Sequence, residues 1–294
     1  MNISGSTTVC GIFGDPVVHS MSPYMQKAAM IEMGFDGVYV PFHVRPDRLE
    51  SAVRAVVALG MRGVNVTVPH KTSVVQFLDH LTDDARATGA VNTVTNDDGV
   101  LTGDNTDVYG FVQGLLREEG IDAFPEHVCI IGAGGAARGV VYGCTTRSEV
   151  ADIVILNRTR EKAARLAEEF TEKTGKRIDA RWLDSRTLEE ELPKAGLIVN
   201  TTSIGMHPRT DDTPVPDPSL FHSGQIVYDI VMPPPETRLL KEASRQGART
   251  VGGLAMLALQ GARSLSLWTG REAPEEFMVD TLKRLAAQSA KSKG

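Results

Sequence analysis

Cysteine is scarce in this chain of 294 residues, where Cys10, Cys129 and Cys144 stand far apart, odd in number and among apolar neighbours. Such spacing supplies neither a disulfide framework nor a zinc cluster, so the three read as buried thiols. Also missing are an HExxH motif and paired CxxC motifs, and no tyrosine is followed four positions later by lysine. Zinc-assisted and Tyr-x-x-x-Lys proton transfer are thereby disfavoured, and no metal is expected. His19, His43, His70 and His80 form no ligand pattern and read as structural or surface residues. An excess of basic charge is lacking too: the net charge is −6 and the two signs are mixed, which argues against nucleic acid as a partner. No segment approaches the roughly 18–20 consecutive apolar residues of a membrane span. The start, MNISGSTTV, carries neither a basic nor an adequate apolar region, so the expectation is a cytoplasmic protein without a membrane partner.

What is present points to two domains. A hydrophobic content of 41% over this length allows a substantial core, and the length is about twice that of a common single domain. Short apolar runs alternate with segments of helical period, the pattern of an α/β fold with mainly parallel sheets. Strands are expected at 9–14, 37–44, 63–68, 127–132, 151–157, 196–201 and 225–231. Helical patterns cover 46–60 and 161–175, each ending on a glycine suited to a left-handed stop, and then 253–270 and 273–288, with a fraying tail at 289–294.

The clearest motif is HVCIIGAGGAARG, beginning at His127. An apolar strand runs into Gly132, Ala133, Gly134, Gly135, Ala136 and Ala137, matching G-x-G-x-x-G/A. The first glycine permits the tight turn, the second admits a pyrophosphate to the backbone, and the last small residue lets helix pack on strand. The next strand, ADIVILN, arrives about 20 residues later, as that motif requires. At its end an NAD enzyme usually places an acidic residue for the ribose 2′-OH, whereas this chain has Asn157, Arg158 and Thr159. A planar cation flanked by neutral hydrogen-bonding side chains suits a 2′-phosphate, so the expected cofactor is NADP.

A second motif, VNVTVPHK at 64–71, alternates valine with Asn65 and Thr67 and ends on Lys71. Period-2 alternation sends Val64, Val66 and Val68 to one face and leaves the polar pair on the other. Pro69 ends the ladder and brings Lys71 to the strand's carboxyl end, where open α/β sheets bind ligands. A lysine in such a place is usually a plain surface residue, so context decides. Asn92 in GAVNTV falls on another short strand, and Asp107 in GDNTDVYGF falls in the first turn of a helix, whose positive end favours a carboxylate. Read alone, Asp107 is a helix-start charge; as a partner of Lys71 it completes an acid/base pair.

These stretches, in this order, resemble the shikimate dehydrogenase family from about residue 9 to residue 270. HSMSP (19–23) is similar to its Ser-x-Ser-Pro turn, while NVTVPHK, GAVNT and NTD (105–107) resemble its substrate strands and catalytic pair. GAGGAARG, NRT, NTTSIGM (200–206), DIVMPPPETRLL (229–240) and GLAMLALQ (253–260) continue the family order.

The resemblance implies reversible reduction of 3-dehydroshikimate to shikimate with NADPH, a step of chorismate and aromatic amino-acid biosynthesis. On it, Ser20 and Ser22 would bind the substrate carboxylate, Asn65, Thr67, Asn92 and Gln260 would hydrogen-bond the ligand, and Lys71 and Asp107 would exchange the proton. Gly132 to Ala136 and Asn157 to Thr159 would hold the cofactor, with Met206, Ile230 and Gly253 near its nicotinamide half. The implied architecture is an N-terminal α/β substrate domain, 1–106 plus 253–294, and a Rossmann-like, doubly wound NADP-binding domain, 107–252, with a cleft between them. Monomer and homodimer both remain open. Met25 stands where the family commonly has histidine, Met232 where a substrate-contacting tyrosine is usual, and Gly252 where aspartate is usual. Lacking that tyrosine, the chain has as alternatives a quinate/shikimate dehydrogenase-like paralogue and, from another class, a nucleotide-sensing module without turnover.

Overall fold

The computed structural model describes residues 3–117 and 121–291, and in it the chain divides into two compact units, 1–110 with 257–294, and 111–256. The divisions fall inside helices rather than at 106/107 and 252/253. Of the expected fraying tail, 289–291 continue a helix and 292–294 lie outside the described residues.

The first unit opens with β1 (Thr8–Gly14), α1 (Ser22–Glu32), β2 (Gly37–His43), α2 (Leu49–Ala58) and β3 (Gly63–Val66). It continues with β4 (His80–Leu81), α3 (Asp83–Thr88), β5 (Thr93–Asp97), β6 (Val100–Asp104) and the start of α4 (Asp107–Leu116). Its sheet has the order β2-β1-β3-β5-β6-β4. β1 runs parallel to β2 and β3, whereas β5 is antiparallel to both β3 and β6, so this sheet is mixed rather than parallel. The antiparallel pair turns at Asp98 and Gly99, with φ of 50° and 95°, the two left-handed residues of a tight hairpin. α2 stops at Gly60, φ 61°, where the amides of Gly60 and Met61 cap Val57 and Val56. Val53 and Val56 of α2 join Val64, Val66, Val94 and Leu101 of the sheet in one core. Val68, expected on the packed face, lies past the end of β3 and is 65% exposed.

The second unit takes up the rest of α4 and then β7 (His127–Ile131), α5 (Gly135–Thr145), β8 (Asp152–Asn157), α6 (Arg160–Thr174) and β9 (Arg177–Trp182). α7 (Ser185–Glu191), β10 (Leu197–Asn200), β11 (Ile226–Asp229), α8 (Arg238–Arg245) and β12 (Arg249–Gly252) follow. α9 (Gly253–Thr269) starts in this unit and continues in the first, which α10 (Glu275–Lys291) completes. All six strands are parallel in the order β12-β11-β10-β7-β8-β9. Alternate residues feed two cores: Val128, Ile130 and Val199 face one, and Cys129, Ile131 and Ile198 the other. This is the doubly wound arrangement, with its switch point between β7 and β10, where ligands bind at the carboxyl ends of the strands.

Candidate active site

In the first unit the turn after β3 is fixed before any ligand is considered. His70 is buried and its Nε2 lies 2.6 Å from the Val44 carbonyl; a carbonyl only accepts, so Nε2 carries the proton. The carbonyl of Lys71 takes the amide of Val91 at 2.8 Å, which draws the turn against the segment entering β5. Lys71 and Asp107 then meet, Nζ donating to Oδ2 at 2.5 Å, with side chains only 13% and 7% exposed.

Asn92, just before β5, holds the other carboxylate oxygen. Its Nδ2 donates to Asp107 Oδ1 at 2.9 Å and to Gln260 Oε1 on α9 at 3.1 Å. Its Oδ1 accepts from the Thr106 amide at 2.8 Å, an N–H that can only donate, so the amide cannot flip without losing that bond. Gln260 is held in turn by donation from its Nε2 to the Leu257 carbonyl at 2.7 Å.

Beneath this row lie three hydroxyls that sequence reading missed: Thr93, Thr106 and Ser264, mutually within 2.8–3.3 Å and all buried. Ser264 sits one helical turn beyond Gln260, a spacing that placed it on the same face of α9. Asn65 is buried rather than open: its Nδ2 contacts the Asn92 carbonyl, Thr93 and Ser264, and its Oδ1 accepts from Tyr39 at 2.7 Å. Tyr39 also hydrogen-bonds Ser22, and burial pushes its hydroxyl well above the usual tyrosine range. Tyr39 thereby links the Ser20–Ser22 turn, where the Ser22 amide donates to Ser20 Oγ at 3.3 Å, to Asn65. Thr67 is half-buried and shapes the turn through its carbonyl, which receives the His70 amide at 2.9 Å. Met25 is fully buried, its Sδ–Cε end filling the space beside Gly261.

In the second unit Gly132 has φ of 116°, and a Cβ there would meet Thr201 Oγ1 at 2.5 Å. Gly134 precedes α5 and is exposed, and a Cβ there would meet nothing within 4 Å. Open space thus lies beside the uncapped N-terminus of α5, whose first N–H groups have no partner within the helix, the setting for a pyrophosphate. Ala133, Gly135 and Ala136 are half-buried about that turn, and Ala137 is fully buried beneath it. Arg158 is exposed between β8 and the N-terminus of α6. Asn157 uses its Nδ2 on the Thr159 carbonyl at 2.9 Å, shaping that turn, while the Thr159 hydroxyl makes no cap to α6. Met206 is 40% exposed in the loop after β10, and Ile230 follows β11, its backbone 2.6 Å from where a Gly253 side chain would begin. These residues fit a phosphorylated dinucleotide: two helix N-termini, a bare glycine and a guanidinium stand at the carboxyl edge of one parallel sheet. Among the described residues no group of histidine, cysteine and carboxylate could hold a metal ion, and no helix is long and apolar enough to cross a membrane.

A doubly wound dinucleotide fold together with a buried lysine–carboxylate pair defines the class of the pyridine-nucleotide-dependent oxidoreductases. The sequence matches the shikimate dehydrogenase substrate binding domain over 12–94, shikimate/quinate 5-dehydrogenase over 118–234 and the shikimate 5′-dehydrogenase C-terminal domain over 253–283. A shikimate dehydrogenase (NADP+) of Methanopyrus kandleri is 46% identical over 96% of this chain and 97% of its own. A solved shikimate dehydrogenase in complex with NADP+ superposes with a TM-score of 0.89 at 38% identity, covering 97% of this chain and 98% of that one. The Listeria monocytogenes enzyme, solved with shikimate and NAD, gives 0.87 at 36% identity, covering 96% and 98%. The chain belongs to the shikimate dehydrogenase family.

Proposed function

We propose that this protein is an NADP-dependent dehydrogenase that interconverts 3-dehydroshikimate and shikimate, with Lys71 and Asp107 as the acid/base pair. The observation that carries this reading is the 2.5 Å contact between Lys71 Nζ and Asp107 Oδ2, with Asn92 joining the same carboxylate to Gln260. When bound, NADPH supplies the hydride; the protein's own part is to hold the ring and deliver the proton. Lys71 Nζ donates a proton to the oxygen that gains charge as the ketone is reduced, and takes one back in the opposite direction. Asp107 orients that ammonium through Oδ2, and Asn92 keeps Oδ1 occupied so that Oδ2 stays directed at the lysine. Ser20 and Ser22 take the substrate carboxylate, Gln260, Asn92 and Thr67 its hydroxyls, and Asn65 supports them from the buried side. A site built to hydrogen-bond hydroxyls rejects analogues lacking them, because its own polar groups would be left unpaired.

Gly132 to Ala136 hold the pyrophosphate, and Arg158 and Thr159 the 2′-phosphate, with Asn157 bracing their turn. Met206, Ile230 and Gly253 border the nicotinamide half. Three free, buried cysteines suit the reducing cytoplasm, where we place the reaction. The test is an absorbance assay of reduced nicotinamide with shikimate and with quinate, each against NADP and NAD. Turnover of shikimate with NADP well above the other three combinations is expected; preference for quinate, or cofactor binding with no turnover of either acid, would overturn the reading.

A further inference from the structure

Asp229 ends β11 fully buried, and the three groups that reach its carboxylate are all neutral donors. Oδ1 accepts from Asn200 Nδ2 at 2.9 Å and from the Val231 amide at 3.1 Å, and Oδ2 accepts from Thr237 Oγ1 at 2.5 Å. An ionised carboxylate offers acceptors only, so it answers three converging donors; an amide would turn an N–H against one of them. Such a group is expensive to bury, and burial lifts it to about pKa 6 against the three hydrogen bonds, which pull the other way.

The donors come from both ends of one loop and from the root of a second. Val231 is the second residue of the segment 230–237 and Thr237 its last, Thr237 also capping α8 by accepting the Leu240 amide. Asn200 ends β10; its Oδ1 holds the amide and hydroxyl of Thr202, and its carbonyl takes the Ile230 amide at 3.2 Å. The His207 amide reaches the Pro233 carbonyl at 3.4 Å, a second link between the two loops. One carboxylate thus anchors both segments that carry Met206 and Ile230.

We propose that Asp229 is a positioning residue for the nicotinamide half of the cofactor, holding the loops 201–206 and 230–237 in fixed register. This rests on the functional reading above. The role differs from fold maintenance because the adenosine half sits on other loops, at Gly132–Ala136 and Asn157–Thr159.

The experiment compares wild type, Asp229→Asn and Thr237→Val. Calorimetry measures NADP and adenosine 2′,5′-bisphosphate, which carries the 2′-phosphate but no nicotinamide, and steady-state kinetics with shikimate measure kcat and KM. Both variants are expected to bind the bisphosphate as wild type does, to lose about tenfold or more in kcat, and to bind NADP more weakly. A kcat within twofold of wild type in both variants overturns the proposal, as does parallel loss of bisphosphate binding, which marks a merely structural role. Wild-type protein that bound NADP yet turned over neither acid would instead refute the functional reading, and the positioning role with it.

Discussion

Lys71 and Asp107, 36 residues apart, meet at 2.5 Å because a turn after β3 and the first residue of α4 are drawn to the same segment before β5. Removing one partner of such a buried pair costs about 3–5 kcal/mol when the other is left uncompensated. Here Asn92 still donates to Asp107 in the absence of the lysine, which moderates the loss.

Lys71→Ala is therefore expected to fold and to lose activity. Without a proton donor at the developing alkoxide, kcat should fall by roughly 10²–10⁴, with a smaller change in substrate KM. Steady-state kinetics check this, and a near-normal kcat removes Lys71 from the chemistry.

Arg158 is exposed beside the N-terminus of α6, so its loss should leave the fold intact. Arg158→Ala is expected to raise KM for NADP far more than for NAD, since only NADP carries the phosphate it would pair with. Equal effects on both cofactors would remove the 2′-phosphate role.

Two glycines of one motif should fail in different ways. Gly132→Ala combines a φ of 116° with a Cβ placed 2.5 Å from Thr201 Oγ1, and should lose about 1–3 kcal/mol of stability. Gly134→Ala has no such clash and should melt like wild type while losing NADP affinity, because its methyl enters the space meant for pyrophosphate. Thermal melting and calorimetry separate the two; a Gly134→Ala variant with unchanged affinity would move the pyrophosphate elsewhere.

Asp229 gives a pH signature. Its carboxyl is raised from 3.8 to about 6 in the folded protein, first by burial, so the folded state holds the proton where the unfolded state has released it. Stability from this group is complete below about pH 4 and is lost as pH rises through about 6, on the order of 3 kcal/mol in all. Asp229→Asn removes that component, so the difference in melting temperature between wild type and variant should change over this window and level off above it. A constant difference across the window would contradict the raised value.

Much of this was legible in the sequence because local and global signals agreed. G-x-G-x-x-G/A after an apolar strand located the β7–α5 turn, and glycine stops located the ends of α2 and α6. A short strand was expected at GAVNTV, but its course on to Asp97 and its hairpin with β6 were missed although Asp98-Gly99 announces the turn, because the polar TVTND lacks the apolar run that marked other strands. β9 and β12, edge strands with exposed charge, were missed for the same reason. In the site, Lys71, Asp107 and Asn92 stood out as polar residues at element ends. Tyr39, Thr93, Thr106 and Ser264 did not, since hydroxyls inside strands and helices look like ordinary filler until distant segments bring them together. Asn65 shows the reverse: alternation gave it a face, but Ser264 of α9 packs onto that face, with Tyr39 and Thr93 of the same sheet also hydrogen-bonding it.

Thr93, Thr106 and Ser264 have a further consequence. Each contact among them is one in which either oxygen could be the donor. Each hydroxyl also reaches an oxygen that only accepts, Asn92 Oδ1 for the two threonines and the Gln260 carbonyl for Ser264, so the hydrogens under Asn92 can be redistributed among these partners with every heavy atom in place. If Lys71 exchanges its proton as proposed, such a floor answers the change in field by turning hydroxyl hydrogens, with no rearrangement of the backbone.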